Sequence, residues 1–97
     1  MLKGGISMTI IVEDRDFIND LEHLQYEVES RKAMIKYALE ANLDTESFQT
    51  YQDKYLNYFK AYEQKKQEVE TKFVKPACPN AKNWNLNFAT GELTITE

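Results

Sequence analysis

Aromatic side chains recur at steps of three and four through the middle of the chain: Phe48, Tyr51, Tyr55, Tyr58 and Tyr62, with Phe59 beside them and Val69 and Phe73 carrying the stripe onward. That alternation places them on one face of an α-helix. Lys65 interrupts the stripe, and no Gly or Pro lies within 45–74. The pattern predicts a helix over 45–74, about 30 residues and roughly 45 Å long.

A second stripe precedes it. Phe17, Leu21, Leu24, Val28, Ile35 and Ala38 keep the same rhythm, with Arg31 at the interrupted place and Ile18, Met34 and Leu39 widening the apolar face. A helix is expected over 14–42. Asp14 suits its N-cap. Early Asp16, Asp20 and Glu22 and later Arg31, Lys32 and Lys36 complement the helix dipole. Asn42-Leu43-Asp44 reads as a turn. Asn42 can end one helix in the left-handed conformation. Asp44 can cap the next, with Leu43 and Phe48 forming a hydrophobic staple. So short a connection makes the two helices antiparallel neighbours, with Arg31 and Lys65 snorkelling at the edge of their contact.

Around this helical hairpin the pattern changes to period two. Trp84, Leu86 and Phe88 alternate with Asn85 and Asn87, and Leu93 and Ile95 alternate with Thr94 and Thr96. Gly91 between them can supply a positive φ, so residues 84–96 read as a β-hairpin. A two-residue Thr90-Gly91 loop would set Phe88 opposite Leu93 and Leu86 opposite Ile95, with every large apolar side chain on one face. Residues 93–96 are expected to form an edge strand. Pro76, Pro79, Asn80 and Asn83 make the preceding stretch a loop. Residues 9–12, Thr-Ile-Ile-Val, suit a short strand that could join the hairpin, or an apolar lead-in to the first helix. The expected fold class is α+β, mostly helical: an antiparallel two-helix hairpin with a C-terminal β-hairpin and a short N-terminal strand.

Composition narrows the class. The 97 residues are 42% hydrophobic and 12% aromatic, which argues for one folded domain over residues 8–97. A net charge of -4 gives no electrostatic reason to expect nucleic acid or an anionic membrane as partner. A single cysteine, Cys78, excludes an intramolecular disulfide, and no apolar run reaches the length of a membrane span. These features point to the cytoplasm. Residues 1–7 precede a second methionine, Met8. The Lys3-Gly4-Gly5 triplet can be encoded by a purine-rich ribosome-binding sequence. Residues 1–7 are therefore either a disordered tail or the product of an upstream start, with translation beginning at Met8 in a bacterium.

Candidate chemistry is sparse. His23, the single histidine, lacks the companions a metal site requires and reads as an exposed helix residue. Cys78 sits in a proline-flanked loop, with no histidine or helix N-terminus visible beside it to stabilise a thiolate. It reads as structural rather than catalytic. No phosphate-binding glycine loop and no catalytic triad is present. No catalytic residue, metal or other cofactor is expected. The tyrosines exceed what two packed helices can bury. Tyrosine brings large area and a polar tip to surfaces that a partner covers.

The run Thr45-x-x-Phe48-Gln49-x-Tyr51-x-Asp53-x-Tyr55, the long polar-aromatic helix and the terminal Trp84-Asn85-Leu86-Asn87-Phe88 segment resemble small accessory proteins of peptide-modification systems. Those are encoded beside CXXX-repeat peptides and radical maturases. The resemblance spans roughly residues 21–96. The family carries a tryptophan pair where this chain has Tyr51 and Gln52. It implies a helper that binds the precursor peptide or the maturase and has no catalytic residue of its own. The partner surface is expected at Tyr51, Tyr55, Tyr58, Phe59, Tyr62, Trp84, Thr94 and Ile95. The alternatives are a homo-oligomeric helical structural protein, or a modified precursor peptide with a helical leader.

Overall fold

The computed structural model describes residues 7–42 and 44–97. In chain order the elements are strand β1 (Ser7–Ile11), helix α1 (Arg15–Glu40), helix α2 (Thr45–Val69), a π-helical segment (Glu70–Val74), a last helical turn α3 (Lys75–Ala77), and strands β2 (Asn83–Leu86) and β3 (Glu92–Thr96). The fold is α+β and mostly helical, as the periodicity predicts. It forms two compact units: Leu21–Lys65, which is the helical hairpin, and the described residues up to Asp20 together with Lys66–Glu97, which carry the sheet.

The helix ends follow local chemistry. Asp14 Oδ1 accepts the backbone N–H of Phe17 at 3.1 Å and caps α1. Asp44 caps α2 twice over, accepting the Ser47 N–H at 2.8 Å and the Ser47 hydroxyl at 3.1 Å. Asn42 takes the left-handed conformation, φ 56, that releases the chain from α1. The expected staple involves Leu43 and so lies outside the described residues. So does the reading of residues 1–6. Ser7, grouped with them in the sequence, is the first residue of β1 and lies opposite Thr96.

In the sheet unit three antiparallel strands stand in the order β1-β3-β2. Leu93 and Ile95 of β3 are buried on one face, with Ile10 and Met8 opposite them on β1 and Leu86 and Trp84 opposite them on β2. Val12, Phe17, Ile18, Val69, Val74 and Cys78 complete this core. Phe17 meets Phe73 edge-on, ring centroids 5.7 Å apart. Ile18, Val69, Leu93 and Ile95 are almost wholly buried, and burial of each such side chain contributes about 1.5–3 kcal/mol.

Three expectations are corrected here. First, β3 is the central strand and not an edge, because β1 joins on its far side. Met8 and Ile10 there extend the apolar face that Leu93 and Ile95 begin. Second, the hairpin loop has four residues, Phe88 to Gly91. Asn87 pairs with Glu92, its N–H donating to the Glu92 carbonyl at 2.8 Å. The register is therefore Leu86 opposite Leu93 and Trp84 opposite Ile95. The Asn87 side chain drives the early turn by accepting the N–H groups of Ala89 and Thr90 at 2.9 and 3.2 Å. Third, the second helix does not run unbroken to residue 74 and stop at Pro76. It widens into the π-helical segment, with the Lys75 N–H donating to the carbonyl of Glu70, and then continues to Ala77. A proline ring clashes with the carbonyl four residues earlier. The wider turn shifts the hydrogen-bond register by one residue immediately before Pro76, which then stands at the start of the last helical turn.

Candidate binding surface

The hairpin unit carries most of the expected partner residues. Across 45–65 no residue of α2 is fully buried; Phe48, Tyr51, Tyr55, Tyr58, Phe59 and Tyr62 are all half-buried. The buried side of the contact comes from α1, through Leu21, Val28 and Ala38. The aromatic stripe is thus seated by its inner edges and leaves its outer edges accessible. Leu56, flanking the stripe on α2, is 47% exposed, and Leu39 on α1 is 62% exposed.

Specific contacts hold this surface in shape. Tyr55 and Phe59 lie with ring centroids 5.8 Å apart, tilted by 43°. The Arg31 guanidinium stands over the Tyr58 ring, 5.3 Å from its centroid, and donates to Glu27 Oε2 at 3.4 Å. Arg31 therefore does more than snorkel: it bridges α1 to the aromatic stripe. Gln49 donates to Asp53 at 3.2 Å along the polar side of α2. Where the helices meet the turn, Ala38, Leu39, Asn42, Thr45 and Phe48 line an open notch of about 250 Å³. That is below the range of small-molecule pockets, roughly 300–1,000 Å³, and suits a single large side chain.

The other expected residues belong to the sheet unit. Trp84 is half-buried, with its indole N–H directed to Glu70 Oε1 at 3.4 Å. Thr94 points to the outer face of the central strand, between Thr9 and Asn85. Ile95 is 1% exposed and is a core residue, so it offers no contact area to a partner. Beside Trp84 lies a cavity of about 170 Å³, lined also by Glu70, Val74, Lys75 and Lys82, which the period-two alternation of 84–96 does not foretell. The one sequence signal was the Lys75-Pro76 step within a helical pattern, which interrupts a regular helix; Glu70 and Val74 of the widened turn line one side.

The remaining reactive groups are engaged structurally. Cys78 is buried, and its thiol donates to Glu97 Oε2 at 2.9 Å. That hydrogen bond to the carboxylate, followed by burial, pushes the thiol pKa up, which disfavours the nucleophilic thiolate at neutral pH. Among the described residues no group of three His, Cys, Asp or Glu side chains could hold a metal ion. No helix among them is long and apolar enough to cross a membrane. The chain matches no protein-family model, no curated protein and no solved structure.

Proposed function

We propose that this protein is a non-catalytic accessory module that binds a protein or peptide partner through the aromatic face of its helical hairpin. The observation that carries the reading is that six aromatic side chains within 48–62 are all left half-accessible on α2, beside an exposed Leu56. Tyrosine and phenylalanine ordered in this way present large area with little rotamer freedom left to lose, the composition of an interface core. The notch beside Phe48 offers a seat for one anchoring side chain. The resemblance to accessory proteins of CXXX-repeat peptide systems supplies the partner class: the ribosomally made precursor peptide or its maturase.

The test is titration of the full chain, followed by calorimetry, with a CXXX-repeat precursor peptide and with a radical maturase of such a system. Tyr55→Ser with Phe59→Ser is expected to weaken the interaction by about tenfold or more, the scale of a lost anchor, while helix content is retained. Equal affinity for parent and variant, or no binding of either one by the parent, overturns the reading.

A further inference from the structure

Helix α1 carries a second seam that its own chain does not cover. His23, Tyr26, Ser30, Ala33, Tyr37 and Glu40 follow steps of three, four, three, four and three. They lie on the side of α1 opposite Leu24, Val28, Arg31 and Ile35. Tyr26 is 60% exposed and Tyr37 69% exposed; His23, Ala33 and Glu40 are exposed and Ser30 is half-exposed. Alternating spacing of this kind is the a/d pattern of a helix pair.

The seam is a palindrome in size. Read from either end it runs polar, tyrosine, small, small, tyrosine, polar, about a midpoint between Arg31 and Lys32. We infer that this face of α1 pairs with the same face of a second copy of the chain, antiparallel and about a two-fold axis at that midpoint. Each Tyr26 then lies opposite the partner's Tyr37. Ser30 lies opposite the partner's Ala33, where two small residues let the backbones approach. His23 lies opposite the partner's Glu40.

Charge along the flank selects this register. A two-fold axis brings like flanks together. On one flank stand Glu29 and Lys36, seven residues apart on the same helix and so too far apart to pair within it. In the antiparallel arrangement each Glu29 faces the partner's Lys36, twice per dimer. The other flank is formed by Glu27, Met34 and Ala41; Glu27 is engaged by Arg31 of its own helix at 3.4 Å, and Met34 and Ala41 widen the apolar contact. A parallel arrangement would place each tyrosine against its own copy and set the flank of Glu29 and Lys36 against the partner's Met34 and the partner's Ala41, so that neither charge meets an opposite one. The seam covers about 18 residues, roughly 27 Å of helix. An interface this small associates weakly and reversibly. This inference uses a different face from the α2 aromatic stripe and stands or falls without it.

Sedimentation equilibrium of the full chain at low ionic strength tests it. The parent is expected to show a monomer–dimer equilibrium. Ala33→Arg, at an exposed position, should abolish it while leaving the circular dichroism melt unchanged. Glu29→Lys and Lys36→Glu should each weaken dimerisation about tenfold, because each sets like charges face to face. An equimolar mixture of those two variants should dimerise as the parent does, since every flank pair is again opposite in sign. A parent that stays monomeric at the highest attainable concentration overturns the inference. So does a dimer unaffected by Ala33→Arg, or a mixture no tighter than its components.

Discussion

Val12 and Gly91 are locked together from both directions. The Val12 N–H donates to the Gly91 carbonyl at 2.8 Å, and the Val12 carbonyl oxygen lies only 2.7 Å from where a Cβ on Gly91 would stand. Gly91 also holds φ at +82. The close approach of β1 to the hairpin loop therefore needs a residue without a side chain, for steric and for conformational reasons. Gly91→Val is expected to destabilise the sheet unit by about 2–3 kcal/mol or more, read as a lowered midpoint in chemical denaturation. An unchanged midpoint would mean that β1 does not seat against the loop as described.

Strand order sets up an opposing pair of substitutions. Val12 bonds to Gly91 and Asn87 to Glu92. In alternating antiparallel ladders this directs the backbone of Thr94 to β2 and that of Thr9 to the free edge of β1. Thr94→Pro should remove a ladder bond in the central strand and destabilise by about 1–3 kcal/mol, the cost of the carbonyl left unpaired. Thr9→Pro should cost a small fraction of that, because edge strands tolerate proline. Thermal melts of the two variants compare them directly; equal losses would contradict the β1-β3-β2 order.

Arg31 and Tyr58 join the two helices of the hairpin. A double-mutant cycle with Arg31→Ala and Tyr58→Ala should give a coupling of about 0.5–1 kcal/mol, the range of a partly exposed cation–π contact. Additive losses would show that the stacking does not contribute.

Two titrations follow from the caps and the thiol. The Ser47 N–H, and then its hydroxyl, hold the Asp44 carboxyl below the usual range. The stability this contributes is present above the unfolded pKa and lost as pH falls through the lower folded value. Asp44→Asn should remove that part of the acid-side slope in a pH series of melts.

For Cys78 the sign is reversed. Its raised pKa makes the contribution full below the unfolded thiol value and lost as pH rises through the folded one. Glu97→Gln removes the carboxylate that accepts the Cys78 thiol, so Cys78 should then react with iodoacetamide at lower pH than in the parent. Identical pH–rate profiles would place Glu97 away from the sulfur.

The sequence by itself determined what local forces decide. The three-four stripes, the Asp14 and Asp44 caps, the left-handed Asn42 and the positive φ of Gly91 each depend on residues a few positions apart, and all are where the pattern puts them. Surplus tyrosine on α2 was legible in the same way, since two helices can bury only one face of each. Tertiary structure alone decided the rest. A shift of two residues leaves every apolar side chain of a strand on the same face, so alternation could not distinguish Leu86 opposite Leu93 from Leu86 opposite Ile95. The choice fell to the Asn87 side chain and the loop it closes. Whether β3 is edge or centre depends on where β1, more than eighty residues away in the chain, finds its apolar neighbours. That choice buried Ile95, which alternation alone had left eligible for a partner. The widened turn before Pro76 likewise shifts the hydrogen-bond register by one residue, which a helical periodicity does not record.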